Sequence, residues 1–123
     1  MNYQRTLNKT IEFEGIGLHT GVTSKLFIHP AESNTGIIFR DSNNEENLIH
    51  SHIDAVSSTK RSTVISSNGY TIHTVEHLLS ALYALGIDNA LIDIDNIEIP
   101  ILDGSAIDFY NLIISSGIKK LDA

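Results

Sequence analysis

The 123-residue sequence has no cysteine, no tryptophan, only two prolines, and eight Lys and Arg against fifteen Asp and Glu. Without cysteine there is neither a disulfide framework nor a cysteine-based zinc knuckle. The shortage of cations leaves a net charge of −7 and a pI of about 5.1, which argues against a generic polyanion partner such as nucleic acid or an anionic bilayer. One small anionic ligand held by a local patch remains open. No apolar stretch approaches the ~20 residues of a membrane-spanning helix. Met1 to Thr10 is polar and lacks the apolar centre of a secretory signal, so the expected compartment is the cytoplasm. What is present suits one compact domain: 41% hydrophobic residues and a mean hydropathy of +0.02, neither disordered nor membrane-embedded.

The first seventy residues read as strands and turns. Ile11 to Phe13 is short and apolar, and Val22, Leu26 and Ile28 share one alternation that His29-Pro30 ends. Ile37 to Phe39 is a further strand before the polar turn Asp41 to Glu46, and Ile49 to Val56 alternates weakly. Ser62 to Ser66 and Tyr70 to Ile72 flank Ser67-Asn68-Gly69 and predict a hairpin. The period then changes to that of a helix. Val75, Leu78, Leu79, Leu82 and Leu85 recur at helical spacing, with Thr74 as the expected N-cap and Gly86 at C′. Ala90 to Ile94 predicts a buried strand, and Ile97 to Leu102 an extended run around Pro100. A second helix, opened by Ser105 with Asp108 three residues on, carries an Ile107, Tyr110, Ile113, Ile114 stripe and stops at Gly117. The expected class is α+β: a mostly antiparallel sheet with two helices packed on one face.

The densest chemistry is His73-Thr74-Val75-Glu76-His77. Glu76 and His77 fall in the first helical turn and off the apolar stripe, so the core does not require them. The positive end of the helix favours a carboxylate there. A carboxylate can accept a proton from water, and neutral imidazole is the form that binds zinc. The residues following His77 on its face are Ala81 and Ala84, whose small size leaves room for a ligand or another domain. Taken alone, the pentad also fits a dipole-favoured glutamate beside an exposed histidine. A third reading takes H-x-x-E-H as an inverted zincin motif, but His73 stands before the helix, where its alignment with His77 is not given. The loop Gly15-Ile16-Gly17-Leu18-His19-Thr20-Gly21 brings backbone close to a ligand or is a plain flexible turn; it lacks the G-K-[ST] ending of a phosphate loop. Lys60-Arg61 by itself reads as a solvated loop. Asp103-Gly104-Ser105 by itself reads as a turn and N-cap.

Together the pieces resemble one family, the UDP-3-O-acyl-N-acetylglucosamine deacetylases. Four segments carry the likeness in order: Thr10 to Gly21 (TIEFEGIGLHTG), Thr74 to Leu82 (TVEHLLSAL), Gly86 to Asn89 (GIDN) and Glu98 to Ser105 (EIPILDGS). The resemblance covers essentially the whole chain. It implies two similar α+β domains in tandem, each resembling domain 2 of ribosomal protein S5, with the active site between them. It implies that His77 is a zinc ligand and Glu76 the general base. It places His19 near the site, Lys60, Arg61, Ser62 and Thr63 on the substrate side, and Asp103 among the substrate-binding residues. The substrate implied is UDP-3-O-acyl-N-acetylglucosamine, in lipid A biosynthesis.

The resemblance further implies that a second domain supplies a His and an Asp as the remaining zinc ligands, plus a His and a Lys that assist the reaction. On that basis residues 1–118 are the first domain and 119–123 the start of a linker, with the second domain absent. Catalytic zinc takes three protein ligands and an open position, and this chain offers one. The chain alone is therefore expected to bind zinc weakly and to be inactive. The alternative is a non-catalytic α+β module that binds a partner or self-associates through Ala81 and Ala84; an RNA-binding version is disfavoured by the charge.

Overall fold

A computed structural model describes residues 3–17, 20–51, 56–58, 64–67, 69–100 and 107–121. Among these residues ten strands and two helices follow one another as β1 (Arg5–Leu7), β2 (Ile11–Ile16), β3 (Thr23–Pro30), β4 (Ile37–Asp41), β5 (Asn44–His50), β6 (Val56–Ser58), β7 (Val64–Ser67), β8 (Tyr70–His73), α1 (Glu76–Ala84), β9 (Ala90–Ile94), α2 (Ile107–Ser116) and β10 (Ile118–Lys120). The main sheet has the order β2-β3-β9-β4-β5, and its one parallel pair is β4 with β9. A second sheet, β6-β7-β8, is antiparallel throughout, and β1 pairs with β10. This is the expected α+β architecture, and among the described residues no helix is long and apolar enough to cross a membrane.

Alternation along the main sheet explains its two faces. Ile11 and Phe13, Leu26 and Ile28, Ile37 and Phe39, and Ala90, Ile92 and Ile94 all point into one core. That core is closed by Val75, Leu78, Ala81 and Leu82 around α1 and by Phe109 and Ile113 on α2. The Phe13 and Phe109 rings lie 4.9 Å apart at 44°.

The opposite face sets Phe27, Ile38 and Leu91 beside a polar cluster centred on Asp93. Arg40, directly across from it in the parallel register, donates from Nε (2.6 Å) and Nη2 (2.8 Å). His29 Nε2 lies 2.9 Å from Asp93 Oδ2, while His29 Nδ1 lies 3.0 Å from Thr10 Oγ1. Burial alone pushes the Asp93 carboxyl up, but the Arg40 hydrogen bonds and charge, helped by His29, outweigh it and hold the group below the usual carboxylate range.

Several local expectations hold. Ser67 pairs with Tyr70 across the predicted hairpin turn, where Gly69 has φ +85°. Gly86 sits at φ +69°, its N–H donating to Tyr83 O while Ile87 N–H donates to Leu82 O, the paired bonds of a Schellman stop. Gly117, at φ +89°, ends α2 in a similar way, its N–H reaching both Ile113 O and Ile114 O.

Others are corrected. Thr74 is not the N-cap: the cap position is Val75, which makes no side-chain capping bond, and Thr74 is buried with φ +63°. Ala81 is 1% exposed and belongs to the core, because it stands three residues from Leu78 and four from Leu85 on the same stripe. Ile114 is 49% exposed, and the core position on α2 is taken by Phe109, one turn before Ile113. The weakly alternating strand starts earlier than Ile49, at Asn44, so the turn after Asp41 is shorter than expected. The polar N-terminus contributes β1, paired with β10 over Arg5–Lys120 to Leu7–Ile118, and Leu121 N–H donates to Gln4 O. Lys119 and Lys120 stand in β10, opposite Thr6 and Arg5.

A candidate active site at the start of α1

The chain enters the site along β8. His73 pairs with Val64 on one side and forms a parallel bridge to Glu98 on the other. His73 N–H donates to Ile97 O (2.8 Å), and Ile99 N–H donates to His73 O (3.0 Å). Thr74 then takes the left-handed conformation, and Val75 turns inward to complete burial. Leu79 N–H to Val75 O (3.0 Å) is an opening helical bond. With Val75, Leu78 and Leu82 fixed in the core, the 3.6-residue period carries Glu76 and His77 away from it. Both side chains are half-buried, and Ser80 and Ala84 beyond them are exposed. The adjacent carboxylate and imidazole are therefore reachable from solvent and held on a buried anchor.

Glu98, which sequence reading passed over as part of an apolar strand, is the polar hub beneath this turn. Its side chain is fully buried. Oε1 accepts from Thr20 N–H and Thr20 Oγ1, each at 2.7 Å, and Oε2 accepts from Thr74 Oγ1. Gly17 lies so close that a Cβ there would overlap Glu98 Oε1 and stand 2.7 Å from Cδ and 2.9 Å from Cγ. The glycine-rich loop thus brings its backbone near a protein carboxylate. Gly17 N–H also donates to Val22 O, and Gly21 N–H to Gly17 O. One side chain therefore joins the glycine loop, the segment before α1 and the Glu98–Pro100 run. The Gly86 to Asn89 segment has a different task. Asp88 and Asn89 N–H both donate to Arg5 O, Asp88 Oδ2 accepts from Arg5 N–H, and Asn89 O accepts from Thr6 Oγ1, fastening β1.

Of the site residues expected from sequence, Glu76 and His77 are described; His19, Lys60, Arg61, Ser62, Thr63 and Asp103 lie outside the described residues, as does Ser105. Among the described residues, no group of three or more His, Asp or Glu is gathered closely enough to hold a metal ion. One imidazole beside a carboxylate at α1 is a donor set that could contribute a single ligand to a metal, short of the three protein ligands that catalytic zinc takes.

A family profile described as UDP-3-O-acyl N-acetylglycosamine deacetylase matches residues 4–123. The chain belongs to this deacetylase family. It is 48% identical over 120 residues to the UDP-3-O-acyl-N-acetylglucosamine deacetylase of Nautilia profundicola, covering 98% of this chain and 41% of the relative. It is likewise 48% identical to that of Helicobacter pylori strain J99 over 127 residues, 98% of this chain and 40% of the relative. The enzyme of the same name from Ruthia magnifica is 39% identical over 120 residues. The chain spans about two-fifths of the length of these relatives. The deacetylase family match takes in β1 from Arg5 and β10 to Lys120, so the terminal strand pair lies within the shared region.

Proposed function

We propose that this chain is the first domain of a zinc-dependent deacetylase that hydrolyses the N-acetyl group of UDP-3-O-acyl-N-acetylglucosamine, in lipid A biosynthesis. The observation that carries the reading is the Glu76–His77 pair, half-buried on the side of α1 turned from the core, in a chain of the deacetylase family. His77 is the one zinc ligand contributed by this domain. Zinc, when bound, supplies Lewis acidity that polarises the amide carbonyl and favours ionisation of water. Glu76 accepts the proton from the attacking water, and the His and Lys that the resemblance assigns to the second domain assist the departing amine. Acetate and the free amine are the products. His19, Lys60, Arg61, Ser62, Thr63 and Asp103 are assigned to substrate binding by the family resemblance.

The remaining zinc donors belong to sequence beyond this chain, as its two-fifths coverage of the relatives allows. Tyr83 and Ile114, 60% and 49% exposed on the outer sides of the two helices, offer apolar surface for that second domain. The reaction is assigned to the cytoplasm. Chelator-competition titration tests the ligand assignment. In the full-length protein, His77→Ala is expected to weaken zinc binding at least tenfold, and the 123-residue chain alone to bind zinc weakly and release no acetate. Unchanged zinc affinity in His77→Ala, or turnover by the isolated chain, would overturn the proposal.

A further inference from the structure

We propose that Glu98 is a positioning residue: its buried carboxylate holds Thr74 in the left-handed conformation and so fixes the rotation at which α1 presents Glu76 and His77. The inference rests on the reading of that pair as base and zinc ligand. A carboxylate with no exposure is retained only where its oxygens are well supplied with donors. Glu98 receives a backbone N–H and two hydroxyls from segments 78 and 24 residues away. Those donors come from the glycine loop and from Thr74, two residues before α1, so the carboxylate ties the loop to the approach to the helix.

Thr74 is where the tie matters. Among the described residues the non-glycine residues at positive φ are Asn34 and Thr74. Asparagine tolerates that region, whereas a β-branched residue there is an outlier that its surroundings must hold in place. Relaxation of Thr74 to an ordinary φ would re-aim the chain between β8 and α1, and Glu76 and His77, two and three residues on, would move with it. The core anchors at Val75 and Leu78 resist that movement but do not supply a capping bond, since Val75 makes none. The backbone bridge of His73 to Ile97 and Ile99 uses main-chain atoms only, so it survives loss of the Glu98 side chain. The strand register is thereby separable from the aim of the helix.

The test uses the full-length protein with three variants. Glu98→Ala removes the acceptor, Glu98→Gln keeps an oxygen for Thr20 and an amide for the Thr74 hydroxyl, and Thr74→Val removes the hydroxyl in a side chain of the same shape. Misplacement by about 1 Å lowers turnover on the order of 100-fold. Glu98→Ala and Thr74→Val are therefore expected to lower kcat by roughly 10- to 100-fold with KM nearly unchanged. Both are also expected to weaken zinc binding in chelator competition and to speed amide exchange at residues 74–78. Glu98→Gln is expected to recover most of each loss. Wild-type kcat, zinc affinity and exchange in both Glu98→Ala and Thr74→Val would overturn the inference. So would failure of Thr74→Val to fold, which would make the contact a requirement of the whole domain. If instead His77→Ala leaves zinc affinity unchanged, the deacetylase reading fails, whereas faster exchange at residues 74–78 would still report the Glu98 clamp.

Discussion

Gly17→Ala probes the clamp from its other side, and its cost follows from the geometry. Gly17 is not in the left-handed region, so the new methyl adds no backbone strain. It instead overlaps the Glu98 carboxylate, 2.7 Å from Cδ and 2.9 Å from Cγ. Glu98 is fully buried and cannot swing to solvent. Either the carboxylate moves and gives up bonds to Thr20 and Thr74, or the loop moves and gives up Gly17 N–H to Val22 O. Hydrogen bonds to a charged group contribute about 1.5–3 kcal/mol each, and partial loss of such a set costs about 2–4 kcal/mol. Gly21→Ala is the matched control. Gly21 has φ +73° with nothing within 4 Å of its would-be Cβ, so its cost is the conformational one alone, about 1–2 kcal/mol. Urea unfolding of both variants compares them at one temperature. The larger midpoint loss is expected for Gly17→Ala; an equal or smaller loss would show that Glu98 yields freely and is no clamp.

Two further perturbations address the rest of the fold. Asp93 titrates lower in the folded chain than unfolded, so its contribution is complete above the unfolded carboxylate value of about 4 and is lost as pH falls through the lower folded value. Asp93→Asn is expected to cost about 1–3 kcal/mol near pH 7, with the gap to wild type narrowing below pH 4 in urea titrations; a gap independent of pH would refute the ionic account. Tyr70 Oη is buried with no hydrogen-bond partner among the described residues, and burial pushes its hydroxyl well above the usual phenol range. Tyr70→Phe removes a buried, unbonded polar atom and is expected to leave thermal stability unchanged or raise it by up to about 1 kcal/mol; a loss above that would mean the hydroxyl has a partner such as ordered water.

The legible parts of the fold are those set by short-range rules. The alternation of Leu26 and Ile28, the helical spacing of Val75, Leu78 and Leu82, the hairpin turn ending at Gly69 and the stops at Gly86 and Gly117 all depend on neighbours a few residues away. What was missed depends on distant partners. Arg5 to Leu7 has too few residues to show alternation and becomes a strand because Ile118 to Lys120 lies beside it. Thr74 looks like an N-cap by composition, yet its hydroxyl is claimed by Glu98, 24 residues on. Glu98 itself carries no local mark of burial in an acidic sequence. Ala81 follows His77 by one turn and so reads as lying on its face, but its spacing from Leu78 and Leu85 puts it on the core stripe. Its burial removes half of the small-residue face on which self-association was considered. Glu76 and His77 stand out in the sequence as polar residues off the apolar stripe at a helix start, and the fold leaves both half-buried rather than in the core.

Whether Glu76 is the base of the reaction is decided by acetate release from full-length Glu76→Gln at matched zinc occupancy. Zinc content is expected to stay unchanged while turnover falls by about 10²- to 10⁴-fold, the usual contribution of a positioned base. Turnover equal to wild type at equal zinc content would contradict it.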